Sequence, residues 1–222
     1  MTYMYDYLNT TFMITYIFMI ITFIITGYQG FFTKNDPEVR RILWLESAIS
    51  LIAGIFYSIF IAWIDNEQQK SIEIDWKEIN KLRYIEWAIT TPLMLLSFCL
   101  ILGMNAKIPF RLSIFLIILL LDYAMLYIGL LGELGIITMT QGFIMWFIFF
   151  IILFSLIYFI YIYPTKTTNH FYWFYWFYFI VWDKYGFIYL LDNKQKNFYT
   201  NILDLIAKPL NRPERKMRQT FE

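Results

Sequence analysis

The sequence has little cysteine and little charge. Its single cysteine, Cys99, excludes an internal disulfide. The formal net charge of +1 argues against nucleic acid as a partner, because a surface that binds phosphates needs an excess of basic residues. Only 16% of the 222 residues are charged, whereas 59% are hydrophobic and 22% are aromatic. A soluble domain of this size could not cover so much apolar surface, so the composition predicts a membrane protein.

Seven apolar stretches are long enough to cross about 30 Å of hydrocarbon. We place them at Leu8–Tyr28, Ile42–Ile64, Tyr84–Met104, Pro109–Leu130, Ile136–Tyr163, Thr168–Leu190 and Lys194–Asn211. The breaks between them, such as GFFTKNDPEVRR and DNKQK, are rich in turn-forming and charged residues. No repeat or soluble signalling domain is evident. The pattern predicts an all-α fold, with residues 1–222 forming one seven-helix domain that is integral to a cell or host membrane and surrounded by lipid.

The distribution of basic residues predicts the orientation of the helices. The connections after the first, third and fifth spans and the C-terminal tail hold Lys34, Arg40, Arg41, Lys107, Arg111, Lys166, Arg212, Arg215, Lys216 and Arg218. The other side carries fewer basic residues and most of the acidic ones. Because basic loops stay in the cytoplasm, we expect the N-terminus outside and the C-terminus in the cytoplasm.

We single out six ionisable residues within or directly beside the apolar parts of the spans, where each unpaired charge would cost several kcal/mol. They are the carboxylates Glu46, Glu86, Asp122 and Asp204 and the basic residues Arg83 and Lys208. Asp204 and Lys208 have i, i+4 spacing, so they share one helix face. Such charges can form purely structural ion pairs. A desolvated lysine can also form a Schiff base with an aldehyde, which indicates a covalently held, conjugated apolar ligand.

Two segments carry a family resemblance. The third span contains RYIEWAITTPLML, and the seventh contains DLIAK. They resemble the microbial (type 1) rhodopsins, whose third helix reads Arg-Tyr-x-Asp/Glu-Trp-x-x-Thr-Thr-Pro and whose seventh reads Asp-x-x-x-Lys. The resemblance implies all-trans retinal held covalently on Lys208 as a protonated Schiff base. It also implies a homo-oligomer, either a trimer or a pentamer, and a function other than enzymatic catalysis.

The resemblance implies roles for the charged residues. Glu86 and Asp204 are similar to the paired counterions of the Schiff base, and Glu86 to the acceptor of its proton. Arg83 resembles the arginine that keeps both carboxylates ionised and blocks the way to the outer surface. Tyr57 and Tyr178 match the two tyrosines that donate hydrogen bonds to the seventh-helix aspartate.

The resemblance also implies a set of pocket residues. From the third helix these are Tyr84, Trp87, Thr90, Thr91 and Met94. LDYAMLYIGLLGEL resembles the fourth helix of the family, with Met125 near the retinal ring and Asp122 hydrogen-bonded to Thr91. Trp182 matches a ring contact from the sixth helix. Simple core packing or lipid contact is the alternative for each aromatic residue.

The sixth helix departs from the family pattern. The family's Trp-x-x-Tyr-Pro-x-x-Trp appears here as Tyr175-x-x-Tyr178-Phe179-x-x-Trp182. Tyr175 then replaces a tryptophan that contacts the polyene, unless the register slips and Trp176 takes its place. The proline that kinks this helix is absent.

The proton donor is a second departure. The family's donor position, eleven residues after the acceptor, holds Ser97, about 16 Å further along the helix. Glu46 lies at a similar depth on the second helix. We therefore propose Glu46 as the substitute donor, as in a viral branch of the family, and keep Ser97 as a candidate. Alternatively, Glu46 extends to the interface or pairs with Arg41.

The seventh helix carries two further departures. Lys196 occupies a position where proton pumps often have a release glutamate, so prompt outward release is not expected. Pro209 and Pro213 follow Lys208 closely and predict an early end of the helix, with a more open cytoplasmic side.

Several functions remain open. We expect a light-driven outward proton pump in which Glu86 accepts the proton and Glu46 replaces it. A light-gated cation channel is the alternative, favoured by the glutamate counterion, Ser97 and the short seventh helix. A photosensor would need a transducer, and no soluble transducer is evident. A chloride pump is disfavoured because Glu86 puts a negative charge where the anion would bind.

Overall fold

Seven long α-helices make up almost all of the chain in the computed structural model, which describes residues 2–70, 74–165 and 169–208. They are α1 (Thr2–Phe32), α2 (Pro37–Gln69), α3 (Trp76–Ala106), α4 (Leu112–Glu133), α5 (Met139–Ile157), α6 (Asn169–Tyr189) and α7 (Asn193–Ala207). A π-helical turn, Tyr158–Ile162, and a 3-10 turn, Tyr163–Thr165, continue α5. The predicted all-α, seven-helix fold is confirmed.

The helices are longer than several of the apolar spans because polar residues cap them. Asp36 accepts the backbone N–H of Val39 at 3.0 Å, which starts α2 five residues before the apolar span. Asp75 accepts the N–H of Lys77 at 3.0 Å and starts α3 well before Tyr84. Because these side chains satisfy N–H groups that lack a partner in the first turn, each helix extends to its cap rather than to the end of its hydrophobic run.

The helices form a closed bundle in chain order. α1 packs on α2 and α7, each later helix packs on the next, and α3 also contacts α7 across the interior. We call the side that carries the α2–α3, α4–α5 and α6–α7 connections the N-terminal side, and the opposite side the C-terminal side. Of the two clusters of buried hydrophobic residues, the larger lies mainly between α3, α4, α5 and α6. The smaller, around Phe12, Tyr57 and Phe60, lies between α1, α2 and the start of α3.

The outer surface of the bundle is apolar. α1 exposes Ile14, Ile17 and Ile21, and α4 exposes Leu116 and Leu120. Five helices, α1 to α5 with its continuation, are long and apolar enough to cross a membrane. Polar side chains such as Glu86 and Asp204 are instead turned inward. This arrangement, apolar outside and polar groups paired inside, is that of an integral multi-pass membrane protein.

Candidate functional site

A buried lysine at the end of α7 contacts two carboxylates. Lys208 Nζ contacts Glu86 Oε1 of α3 and lies 2.8 Å from Asp204 Oδ2, one turn earlier on α7. Lys208 is 1% exposed, and both carboxylates are completely buried. Their mutual pairing compensates charges that would otherwise be too costly inside the bundle. The structure thus brings together residues that lie 122 positions apart.

The two carboxylates have different surroundings. Asp204 accepts hydrogen bonds from Tyr57 Oη at 2.8 Å and Tyr185 Oη at 2.7 Å, in addition to Lys208. Glu86 Oε2, in contrast, has no hydrogen-bond partner among the described residues. Hydrogen bonds to a carboxylate stabilise its charged form, so Asp204 is the better stabilised anion of the pair.

Arg83 lies on the N-terminal side of this pair. Its Nε donates to Asn197 Oδ1 at 2.9 Å, and its Nη2 donates to Asn201 Oδ1. The guanidinium also lies 5.1 Å and 5.0 Å from the ring centres of Phe12 and Phe60. Arg83 is 2% exposed, and its Nη1 is 3.8 Å from Asp204 Oδ2. Its positive charge therefore interacts with Asp204 rather than with solvent.

The middle of α3 is hydrogen-bonded to α4 at two points. Thr91 Oγ1 donates to Asp122 Oδ2 at 2.7 Å, which is the contact expected from the sequence. Pro92 has no N–H to bond the carbonyl of Ala88, four residues earlier. Tyr123 Oη of α4 donates to that carbonyl at 3.1 Å. The proline of the Thr-Thr-Pro motif is therefore accommodated by a hydroxyl from the neighbouring helix.

An apolar cavity leads from Lys208 between α3, α4, α5 and α6. Its empty space, including the open mouth, is about 910 Å³, and its walls are mostly apolar and aromatic. Most of the pocket residues expected from the sequence line it, including Tyr84, Trp87, Thr91, Met94, Asp122, Met125 and Trp182. Thr90 is buried beside the cavity, and its hydroxyl donates to the Glu86 carbonyl at 3.0 Å.

The register predicted for the sixth helix is wrong. Tyr185, not Tyr178, donates to Asp204, and Tyr175 and Tyr178 do not line the cavity. Tyr178 instead stacks on Phe98 with ring centres 4.3 Å apart, and Tyr175 Oη donates to the Phe154 carbonyl. The motif falls seven residues later, on Trp182-x-x-Tyr185-Gly186-x-x-Tyr189. Seven residues are almost two helical turns, so both registers present the same face.

Two glycines shape the cavity wall and were not predicted from the sequence. A Cβ at Gly186 would lie 2.2 Å from the Trp146 ring, and one at Gly129 would lie 2.7 Å from Tyr84 Oη. Each glycine therefore allows an aromatic side chain to pack directly on helix backbone. Gly186 also takes the place of the family proline, so the motif on Trp182 could have been found by allowing this exchange.

The two donor candidates lie towards the C-terminal side. Glu46 and Ser97 are completely buried, and neither lines the cavity. Glu46 is eleven residues from Tyr57, about 16 Å along α2, so its depth matches that of Ser97 on α3. Its burial contradicts the alternative in which its side chain extends to the interface. The early end of helix seven at Pro209 and Pro213 lies outside the described residues.

The site and the fold together define a class: a seven-helix membrane protein with a buried lysine, compensated by two carboxylates, at one end of an apolar cavity. The bacteriorhodopsin-like protein family matches residues 6–210. The chain therefore belongs to this family, and the resemblance to microbial rhodopsins is confirmed.

Comparison with solved structures supports this family assignment. The chain is 36% identical to viral rhodopsin OLPVRII, with 91% of this chain and 92% of that one covered and a TM-score of 0.81. Two others show the fold alone. Xanthorhodopsin, a light-driven ion pump with dual chromophore, is 16% identical, with 97% of this chain and 96% of that one covered and a TM-score of 0.77. The proton pumping rhodopsin AR2 from the marine alga Acetabularia acetabulum is 19% identical, with 93% of this chain and 91% of that one covered and a TM-score of 0.71. No curated protein matches.

Membership of the family implies a retinal chromophore, and the residues present fit one. The cavity offers apolar and aromatic walls to a polyene, and the buried amine of Lys208 lies at the end where Glu86 and Asp204 meet. Glu86 Oε2 remains available to a polar partner at that end, within the described residues. The glycines at 129 and 186 keep the walls free of additional side chains.

Proposed function

We propose that the protein is a light-driven outward proton pump with all-trans retinal bound covalently to Lys208. When bound, retinal supplies light-driven isomerisation next to a protonated nitrogen. The observation that carries the proposal is the buried cluster of Lys208, Glu86, Asp204 and Arg83 at the end of an apolar cavity. A cation flanked by two unequal carboxylates is an arrangement that can hold a proton and then give it up in one direction.

Glu86 is the proton acceptor in this proposal. Its Oε1 contacts Lys208 Nζ, so the proton has a short path from the nitrogen to the carboxylate. Asp204 already accepts bonds from Tyr57 and Tyr185 and lies near Arg83, which keeps it ionised. A proton arriving at the pair therefore settles on Glu86, the less stabilised anion. Asp204 remains as the permanent counterion.

Glu46 replaces the proton from the C-terminal side. Its complete burial suits a carboxyl group that holds a proton in the dark. Between the cavity and this side lies a packed aromatic core in which Tyr178 stacks on Phe98 and Phe154 contacts Trp182. Such a core excludes water in the resting state and supports a pump, which needs separate access from the two sides, over an open pore.

A light-gated cation channel is the second candidate. Buried hydroxyls of Ser50 and Ser97 on α2 and α3 have no hydrogen-bond partner among the described residues. They are able to bind water in a hydrated path once the aromatic core separates.

The pump further rests on the proposed orientation, with the C-terminal side in the cytoplasm.

Photocurrent under voltage clamp separates the two candidates. The pump predicts outward current at every accessible voltage and no dependence on the Na⁺ or K⁺ gradient. A reversal potential that follows either gradient would establish the channel instead. Lys208→Ala should give colourless protein after retinal is added, because Lys208 is the amine that lies beside Glu86 and Asp204. A coloured variant would place the covalent linkage elsewhere.

The role of Glu46 has a kinetic test. Glu46→Gln should slow the return of the visible absorption band after a flash by about 100-fold or more, because a positioned proton donor contributes about that much. Azide should restore the rate. Asp65→Asn, an exposed carboxylate on the same helix, is the control and should leave the rate unchanged. An unaltered rate in Glu46→Gln would contradict the donor role.

A further inference from the structure

A second buried ion pair lies on the N-terminal side, outside the cluster around Lys208. Lys196, in the first turn of α7, contacts Glu133, the last residue of α4. The two side chains are only 9% and 6% exposed. Lys196 Nζ also lies 5.1 Å from the centre of the Tyr189 ring. Burial of both charges next to a helix end needs a reason, since an exposed pair would avoid the desolvation cost.

An unbroken chain of side-chain hydrogen bonds joins this pair to the site. Arg83 Nε donates to Asn197 Oδ1 at 2.9 Å, and Asn197 Nδ2 donates to Asn80 Oδ1 at 3.0 Å. Asn80 Nδ2 then donates to Glu133 Oε2 at 3.1 Å. Asn80 and Asn197 are 2% and 0% exposed, so the chain runs through the interior.

The cavity that reaches Lys208 extends along the same route. Asn80, Arg83, Glu133 and Lys196 line it together with the residues around Lys208. A proton that leaves the site towards the N-terminal side therefore meets amide groups that can order water, and Glu133 is the first carboxylate beyond Arg83 on that wall. Side-chain amides do not themselves titrate, so Glu133 is the group able to hold the proton.

We propose that Glu133 is the exit residue of the proton path and that Lys196 keeps it ready to accept. This inference rests on the proposed pump. At rest Glu133 is a carboxylate paired with the Lys196 ammonium. The proton carried by Glu86 leaves it, passes Arg83 by way of water ordered on Asn197 and Asn80, and protonates Glu133. The ion pair then opens, the proton goes from Glu133 to the outer solvent, and the pair forms again.

Lys196 gives the exit its direction. Its positive charge opposes entry of protons from outside and shortens the time that Glu133 stays protonated. Because Glu133 holds no proton at rest, it cannot release one before Glu86 has given up its own. This order of events agrees with the prediction from the sequence that outward proton release is not prompt, which was based on Lys196 at the position of a release glutamate.

Other carboxylates on this side are less suited to the role. Glu78 is 40% exposed and paired with Lys81. Asp75 and Asp192 cap the starts of α3 and α7 through backbone N–H groups. None of these three lines the cavity. Glu133 alone among these residues combines burial with a connected route to Arg83.

The test is flash-induced proton release from the complete retinal-loaded protein in lipid nanodiscs, followed with a pH-indicator dye in the bulk solution. Glu133→Gln keeps the size of the side chain and an oxygen for Asn80 but cannot take up a proton. We expect release in this variant to be delayed about tenfold or more, with the dark absorption spectrum unchanged. Glu133→Asp should restore part of the rate. Glu78→Gln is the matched control and should behave as the wild type.

Infrared difference spectra supply an independent readout. Besides the band of protonated Glu86, the wild type should show a second transient carboxylic acid band that is absent in Glu133→Gln and present in Glu78→Gln. Unchanged release timing together with an unchanged infrared band would refute the exit role. Absence of any bulk acidification in the wild type, despite a complete light cycle, would instead refute the proposed pump. The two failures are therefore distinguishable.

Discussion

Replacing Tyr185 by phenylalanine tests the geometry of the counterion directly. The change removes one hydroxyl and keeps the ring that packs against Trp87. In the wild type this hydroxyl donates to Asp204 Oδ1 at 2.7 Å. Tyr178→Phe, two turns earlier on α6, is the matched control, because it removes a hydroxyl of the same kind that does not reach Asp204.

The expected magnitude follows from the type of hydrogen bond. A bond to a charged group is worth about 1.5–3 kcal/mol in a soluble protein, whereas coupling energies inside membrane proteins average about 0.6 and reach about 1.7 kcal/mol. The bond between Tyr185 and Asp204 is short, partly buried and made to a charged, completely buried carboxylate. We therefore expect a coupling energy between these residues of about 1–2 kcal/mol.

A double-mutant cycle measures this coupling. The free energy of unfolding is determined for the wild type, Tyr185→Phe, Asp204→Asn and the double variant, in the retinal-loaded state. The two changes should be non-additive by the stated amount, and Tyr185→Phe should also shift the visible absorption maximum. The cycle of Tyr178→Phe with Asp204→Asn should be additive within about 0.5 kcal/mol. Coupling of Tyr178 rather than Tyr185 would restore the register predicted from the sequence.

Two further substitutions probe the cavity and its support. Gly186→Ala should destabilise the protein by about 1–3 kcal/mol and shift the absorption maximum, because the added Cβ displaces the Trp146 ring. An unchanged stability together with an unchanged spectrum would contradict this prediction. Tyr123→Phe should lower the free energy of unfolding by about 1 kcal/mol, because the Ala88 carbonyl opposite Pro92 loses its donor. The temperature of thermal bleaching measures this effect. Equal bleaching temperatures in the variant and the wild type would show that lipid or water replaces the hydroxyl.

The sequence was a reliable guide where the signal is local. The seven helices were predicted from the apolar stretches and the turn-forming breaks between them, and the shared face of Asp204 and Lys208 follows from their i, i+4 spacing on one helix. The third-helix motif around Glu86 identified the family. For the same reason the contact of Thr91 with Asp122 could be expected by analogy, and the structure has it at 2.7 Å.

The sixth helix shows where local signals fail. Its run FYWFYWFYF repeats aromatic residues so densely that a motif of tryptophan and tyrosine fits in more than one position. A shift of seven residues rotates the helix face by only about 20°, so the hydrophobic pattern could not distinguish Tyr178 from Tyr185. Only the depth of α6 relative to α7, fixed by packing, decided which hydroxyl reaches Asp204.

By itself, then, the sequence determined the seven helices, the buried charges and the family, because these depend on residues close together along one chain segment. The tertiary structure decided which residues from separate helices meet. Glu133 and Lys196 are 63 positions apart, and Asn80 and Asn197 are 117 apart, with no spacing that relates them. Their connection to Arg83 exists because helix packing sets the rotation and depth of α3, α4 and α7 together, and a linear pattern carries neither quantity.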